Sequence, residues 1–182
     1  MVLYGYTDFI ISLFERIYLM EKIKIIRLIL LLSVILLMIV IFMLSAQGAT
    51  ESSNLSSNIT EKIAEIIIPS LNKMPIEKKL NIIEELHLFV RKTAHATAYF
   101  FLGIMCILLM QTYKIKNIYK IIIALGICLV YAISDELHQA LVPGRGPSVY
   151  DVGIDFSGSI VGVLVIMLII IIYKNIKVKL LK

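Results

Sequence analysis

The chain has 182 residues, 59% of them hydrophobic and 17% charged, with a mean hydropathy of +0.92. That excludes an ordinary soluble domain, in which charged residues make up about a quarter of the chain. The formal net charge of +5 is modest, and no basic stripe with interleaved aromatics marks a nucleic-acid surface.

A helix needs about 20 apolar residues to cross a hydrocarbon core of ~30 Å, and it satisfies its own backbone hydrogen bonds on the way. The apolar runs therefore predict an all-α membrane protein with four transmembrane helices. An extracytoplasmic loop with short amphipathic helices is expected between the first and second. Residues 1–24 read as a cytoplasmic N-terminal segment, where Tyr4, Tyr6, Phe9, Ile10, Ile11 and Phe14 suit an interfacial helix. Met20 opens Met-Glu-Lys-Ile-Lys, itself a natural start, and no function is assigned to residues 1–19. The first span covers about 25–44. Its apolar run from Leu28 to Leu44 exceeds the 7–15 residues of a signal-peptide core, and Ser45-Ala46-Gln47 is a poor cleavage site, so a retained helix is expected.

Residues 45–87 are hydrophilic. Asn58 with Glu61 resembles a capping box that opens a short helix ending at Pro69. Asn54 and Asn58 fit the glycosylation sequon, a pattern of low specificity. A second amphipathic piece, Ile76 to His87, carries Leu80, Ile83 and Leu86 on one side and runs into the second span, about 88–110. The third span covers about 118–141 and the fourth about 149–172, joined by the turn Pro143-Gly144-Arg145-Gly146-Pro147. A basic tail, 173–182, follows the membrane domain of 25–172. Cys106 and Cys128 fall midway along apolar runs and read as small apolar residues. Basic residues dominate the N-terminus, the 111–117 link and the tail, whereas acids outnumber them on the other side, so both termini should be cytoplasmic.

This topology brings the end of the first span, the start of the second, the end of the third and the start of the fourth to the outer face. Ser45 and Gln47 close the first span. Arg91, Lys92, His95 and Tyr99 open the second. Tyr131, Ser134, Asp135, Glu136, His138 and Gln139 close the third. Asp151 and Asp155 open the fourth, with Arg145 between. The inner halves are expected to be almost featureless. Arg91, His95 and Tyr99 share a face at four-residue intervals, as do Asp151, Asp155 and Ser159, and Tyr131 and Asp135 share one with His138 or Gln139. Gly158 and Gly162 form a small-xxx-small pair that lets the fourth helix approach a neighbour. The simplest arrangement pairs Arg91 and Lys92 with Asp135, Asp151 or Asp155, and hydrogen-bonds His95 to an acid.

Three spaced motifs carry a resemblance: Arg91-Lys92-x2-His95-x3-Tyr99-x2-Leu102-Gly103, Ser134-Asp135-Glu136-x-His138-Gln139-x3-Pro143-Gly144-Arg145, and Asp151-x3-Asp155-x2-Gly158-x3-Gly162. Together with Ser45-x-Gln47 and the serines after it, they resemble the VanZ-like family of small bacterial membrane proteins, over about residues 25–172. The resemblance implies a multi-pass protein of the bacterial cytoplasmic (inner) membrane. It also implies a cell-envelope role linked, through the family's namesake, to resistance to the glycopeptide teicoplanin. It supplies no established reaction. The family often has an acid one residue before the tyrosine; here that position is Ala98. If that acid is catalytic or a ligand elsewhere in the family, this chain lacks the step.

Three readings of the cluster stay open. In the first, Arg91, Lys92, His95, Tyr99, Asp135, Gln139, Arg145, Asp151 and Asp155 bind an anionic lipid headgroup or a lipid-linked envelope precursor, since arginine matches phosphate through its bidentate fork. In the second, His95, Asp135, Glu136, His138 and Asp155 supply acid–base pairs or metal ligands to an enzyme acting on a lipid-linked substrate. In the third, the charges only brace the bundle. There is no HExxH, no paired-cysteine site and no serine-nucleophile motif, so no cofactor and no resident metal are expected. The expected surroundings are the lipid bilayer, without nucleic acid.

Overall fold

Long runs of Ile, Leu, Val and Met without an internal proline leave the backbone little alternative to helix in an apolar medium. The computed structural model describes residues 2–46, 60, 62–71, 74–142 and 146–180, with side chains from Ile17 onward. It holds four long helices: α1 (Val2–Ser45), α2 (Ile76–Gln111), α3 (Asn117–Gln139) and α4 (Val149–Leu180). There is no strand among the described residues. Each helix contains a stretch long and apolar enough to cross a membrane, and the chain is a multi-pass membrane protein.

The helices run longer than the hydrophobic stretches within them. No proline interrupts the chain before α1 ends, so the N-terminal segment and the first span are one helix. The 36 residues of α2 reach about 54 Å at 1.5 Å each, well beyond the ~30 Å hydrocarbon core. Its first three turns, with Glu77, Lys78, Lys79, Glu84 and Glu85, therefore project past the apolar span. In contrast, α3 stops two residues short of the predicted end, because Leu141 N–H turns back to the His138 carbonyl and Val142 N–H to that of Gln139. Between α1 and α2, residues 62–67 are helical and Pro69 lies in the turn that ends them. Ala64 and Leu71 are fully buried, and Ile67 and Ile68 lie beside Ile82, Leu86 and Phe89 at the start of α2. The expected capping start at Asn58 and Glu61, the sequon asparagine Asn54, and Gln47, Pro143, Gly144 and Arg145 lie outside the described residues.

In the bundle α2 and α3 take the middle, each packing on all the other helices, and α2 and α4 form the tightest seam. Glycine makes that seam possible. A Cβ added at Gly103 would stand 2.9 Å from Ser159 Cα, and one at Gly158 would stand 3.1 Å from the Ala96 carbonyl carbon. One at Gly162 would stand 3.1 Å from the Phe100 carbonyl carbon and 3.2 Å from Ile104 N. The Gly158/Gly162 pair thus faces α2, backbone against backbone. On α3 the small residues Ala124, Cys128 and Ala132 do the same work at four-residue intervals, against Tyr99, Leu102 and Cys106 of α2 and Val34 and Ile41 of α1. Both cysteines are free and buried. The outward faces carry Leu28, Leu32, Leu36, Ile122, Val130, Leu164 and Leu168, all exposed, as a lipid-facing surface requires.

One expectation needs correction. The end of the bundle holding the α2–α3 link is not featureless. Arg27 Nε and Nη2 donate to Thr112 Oγ1 (3.2 Å) and to the Thr112 carbonyl (3.0 Å), and its guanidinium lies 4.0 Å from the Tyr113 ring centre. The buried Lys120 donates to Gln111 Oε1 at 2.9 Å. The last carbonyls of a helix have no partner within it, and Arg27 supplies a donor just where α2 runs out.

Candidate functional site

Residues four apart on a helix stack about 6 Å along its axis, and α2 runs antiparallel to α3. The three polar faces therefore meet in layers at one end of the bundle. Arg91, His95 and Tyr99 descend α2; Gln139, Asp135 and Tyr131 descend α3; Asp151, Asp155 and Ser159 descend α4.

In the top layer Lys92 Nζ pairs with Asp151 Oδ1 at 2.8 Å, with the lysine half exposed. Arg91 Nη2 donates to Gln139 Oε1 at 3.3 Å, and Arg91 forms no ion pair among the described residues. In the middle layer Asp135 is 2% exposed and Asp155 4%. Ser45 Oγ, at the end of α1, donates to Asp135 Oδ2 at 2.8 Å, and Gln139 Nε2 donates to the same oxygen at 3.2 Å. Asp135 Oδ1 has no hydrogen-bond partner among the described residues. His95 Nδ1 stands 4.0 Å from Asp155 Oδ2, too far for a hydrogen bond. One histidine nitrogen and two carboxylate oxygens, from His95, Asp135 and Asp155, all lie within 4.8 Å of one another. In the lowest layer Tyr99 is fully buried with its hydroxyl unpartnered. The Tyr131 hydroxyl donates to the Met38 carbonyl, and the two tyrosine rings lie 6.1 Å apart. Ser159 Oγ donates to the Tyr99 carbonyl at 3.2 Å, tying α4 to α2. Below this the core is apolar as far as the buried Lys120.

A cavity of about 300 Å³ opens into the upper two layers, lined by Leu88, Arg91, Lys92, His95, Gln139, Gly146, Asp151, Ile154 and Asp155. Six of the sequence candidates thus line one space. Asp135 adjoins it through His95 and Asp155, and Tyr99 lies beneath. Two candidates point elsewhere. Glu136 Oε1 accepts the Ser148 N–H at 2.6 Å and pins the start of α4. His138 stacks on Phe42 of α1 with ring centres 4.1 Å apart. Arg145 lies outside the described residues. The expected pairing of Arg91 with an acid is not what forms, since its partner is the Gln139 amide. Ala98, where the resemblance expects an acid, packs against the core.

Ser148 escaped the sequence reading. Its Oγ accepts the Asp151 N–H at 3.3 Å, capping α4. The signal was present: Ser148-x-x-Asp151 ahead of an apolar run is a capping pattern. The partner of Ser45 could not be read, because nothing in α1 records which helix its end meets. Ser45→Ala removes one of two donors to a buried carboxylate. It should cost about 1 kcal/mol and lower the melting temperature in detergent by about 2–4 °C.

The family model described as VanZ/LLP1 matches residues 30–171. Every residue of the three layers falls inside that range. No curated protein matches the chain, and no solved structure does.

Proposed function

The chain belongs to the VanZ/LLP1 family, and on that premise we propose that the layered end of its bundle faces the outer leaflet and binds the anionic headgroup of a lipid or lipid-linked envelope component. The observation that carries this reading is Arg91. It lines the cavity, its one described hydrogen bond goes to a neutral amide, and it forms no ion pair among the described residues. A guanidinium beside a cavity between helices is suited to a phosphate, which it grips with two parallel hydrogen bonds, and basic pockets of this kind hold lipid headgroups. The opposite end supports this orientation, since Arg27, Lys114, Lys116, Lys120, Lys174 and Lys177 lie there and basic residues favour the cytoplasmic side. A headgroup site at that level would connect the protein to glycopeptide susceptibility through a lipid-linked wall precursor, the envelope role the family resemblance implies.

The test is native mass spectrometry of the purified chain and of Arg91→Gln. Charge-assisted hydrogen bonds contribute about 1.5–3 kcal/mol each, and 1.4 kcal/mol is tenfold in affinity. The variant should keep its yield and retain roughly a tenth of the anionic lipid. Equal retention by both proteins would sink the reading.

A bracing role is favoured by a specific observation of its own: Ser45–Asp135 joins α1 to α3, and Glu136–Ser148 joins α3 to α4. Alanine variants at Arg91, His95, Asp135, Gln139, Arg145 and Asp155 separate the two, scored for membrane abundance and teicoplanin susceptibility together. Loss of phenotype at constant abundance supports binding; parallel loss supports bracing.

A further inference from the structure

We infer that His95, Asp135 and Asp155 form a binding site for a divalent first-row transition-metal cation. Each comes from a different helix, and their donor atoms lie within 4.8 Å of one another. Donors about 2.0–2.2 Å from a common ion in a tetrahedral set stand about 3.3–3.6 Å apart. His95 and Asp155 stand 4.0 Å apart, so binding an ion draws these two side chains together by about half an ångström. At 4.0 Å, His95 Nδ1 and Asp155 Oδ2 are too far apart for a direct hydrogen bond.

Orphaned atoms supply the second observation. Asp135 Oδ1 has no hydrogen-bond partner among the described residues, on a residue 2% exposed. The Tyr99 hydroxyl is buried and has no hydrogen-bond partner among the described residues either, and Asp135 and Asp155 are among its electrostatic neighbours, with Tyr131 and Cys128. Buried polar atoms are rarely left in this state unless something else occupies the space. The charge points the same way. Two carboxylates are buried in one layer, while Lys92 above them pairs with Asp151 and Arg91 meets the neutral Gln139 amide. One dication balances two carboxylates. The donor set, one imidazole nitrogen and two carboxylate oxygens, suits Zn²⁺, Mn²⁺ or Co²⁺ better than an all-oxygen Ca²⁺ or Mg²⁺ cage. Three protein ligands leave a coordination position open, and the cavity past Arg91 and Lys92 reaches it. Ser45 and Gln139, both on Asp135 Oδ2, orient the carboxylate in the manner of outer-shell groups. The site does not depend on an anionic ligand in the cavity.

The test uses the full chain in detergent, stripped with chelator and titrated with Co²⁺ alone. Visible d–d absorption should saturate at one ion per chain and disappear on addition of Zn²⁺. Asp155→Asn and His95→Gln should each weaken Co²⁺ binding at least tenfold, with size-exclusion profile and helical circular dichroism confirming that they fold. Ser45→Ala should weaken it by about tenfold while leaving a ligand-field spectrum of the same shape. Arg91→Gln should bind Co²⁺ as wild type does, even where it loses lipid, so the two readings fail separately. Absence of a saturable spectrum in the wild type overturns the site whatever the variants do. Full binding by Asp155→Asn overturns it too, and so do thiolate charge-transfer bands in the near ultraviolet, which would assign the ion to Cys106 and Cys128.

Discussion

Gly162→Val will remove most of the folded protein from the membrane, and what remains will have lost both the α2–α4 seam and the cavity. At Gly162 the first atom of any side chain meets the Phe100 carbonyl group and Ile104 N of α2. These are backbone atoms inside a helix, and they cannot rotate aside as a side chain would. Overpacking a core that can adjust costs about 1–3 kcal/mol. Here the two helices must separate instead, and valine adds two more carbons to the conflict. Separation breaks the Ser159–Tyr99 bond, and it moves Asp151 and Asp155 away from Lys92 and His95. The control is Gly126→Ala on α3, where a Cβ meets nothing within 4 Å. It should be neutral or stabilising by up to about 1 kcal/mol, since alanine is the better helix former. Membrane abundance and size-exclusion behaviour of the two variants decide the matter. Gly162→Val accumulating like wild type with an unchanged melting temperature would refute the tight seam.

The contrast between Gly162 and Gly126 shows what a sequence of this kind discloses. Hydropathy marks four spans because lipid forces every backbone bond inside a helix. The four-residue intervals of Arg91, His95 and Tyr99, or of Asp151, Asp155 and Ser159, mark faces because the helical period is rigid. The Gly158/Gly162 pair stands out because only small residues admit a neighbour's backbone. Rotation between helices leaves no such trace. Glu136 and Asp135 are adjacent and chemically alike, yet one pins the start of α4 and the other joins the middle layer. His138 has the same acid-rich surroundings in sequence as Asp135 but turns to Phe42. Arg91 meets an amide and not an acid, because Gln139 lies one turn above Asp135 on the facing helix. Arg27 bonds to Thr112 across 85 positions of sequence, a contact no local pattern announces. The His95, Asp135 and Asp155 donors have no ligand spacing to detect, since no two of them share a helix.

Asp155→Asn will stabilise the metal-free protein, against the usual direction for a substitution at a buried polar residue. Asp155 is 4% exposed, and its one ion-pair contact among the described residues is His95 at 4.0 Å. A carboxylate held that deeply without a close cation carries a desolvation cost that its surroundings do not offset. Asparagine keeps the shape, can still accept through its oxygen, and removes the charge. It also relieves the repulsion with Asp135 in the same layer. The expected gain is about 1–3 kcal/mol in chelator, or roughly 2–10 °C in melting temperature. Addition of Zn²⁺ should reverse the order: wild type gains in proportion to the logarithm of free ion over its dissociation constant, whereas the variant does not. Functional sites retain groups that destabilise the fold, whereas a brace by definition does not. Thermal unfolding of both proteins in chelator therefore separates the two roles in one measurement. A lower melting temperature for Asp155→Asn in chelator would identify Asp155 as part of the bundle's frame; a higher one would mark it as a charge kept for something it binds.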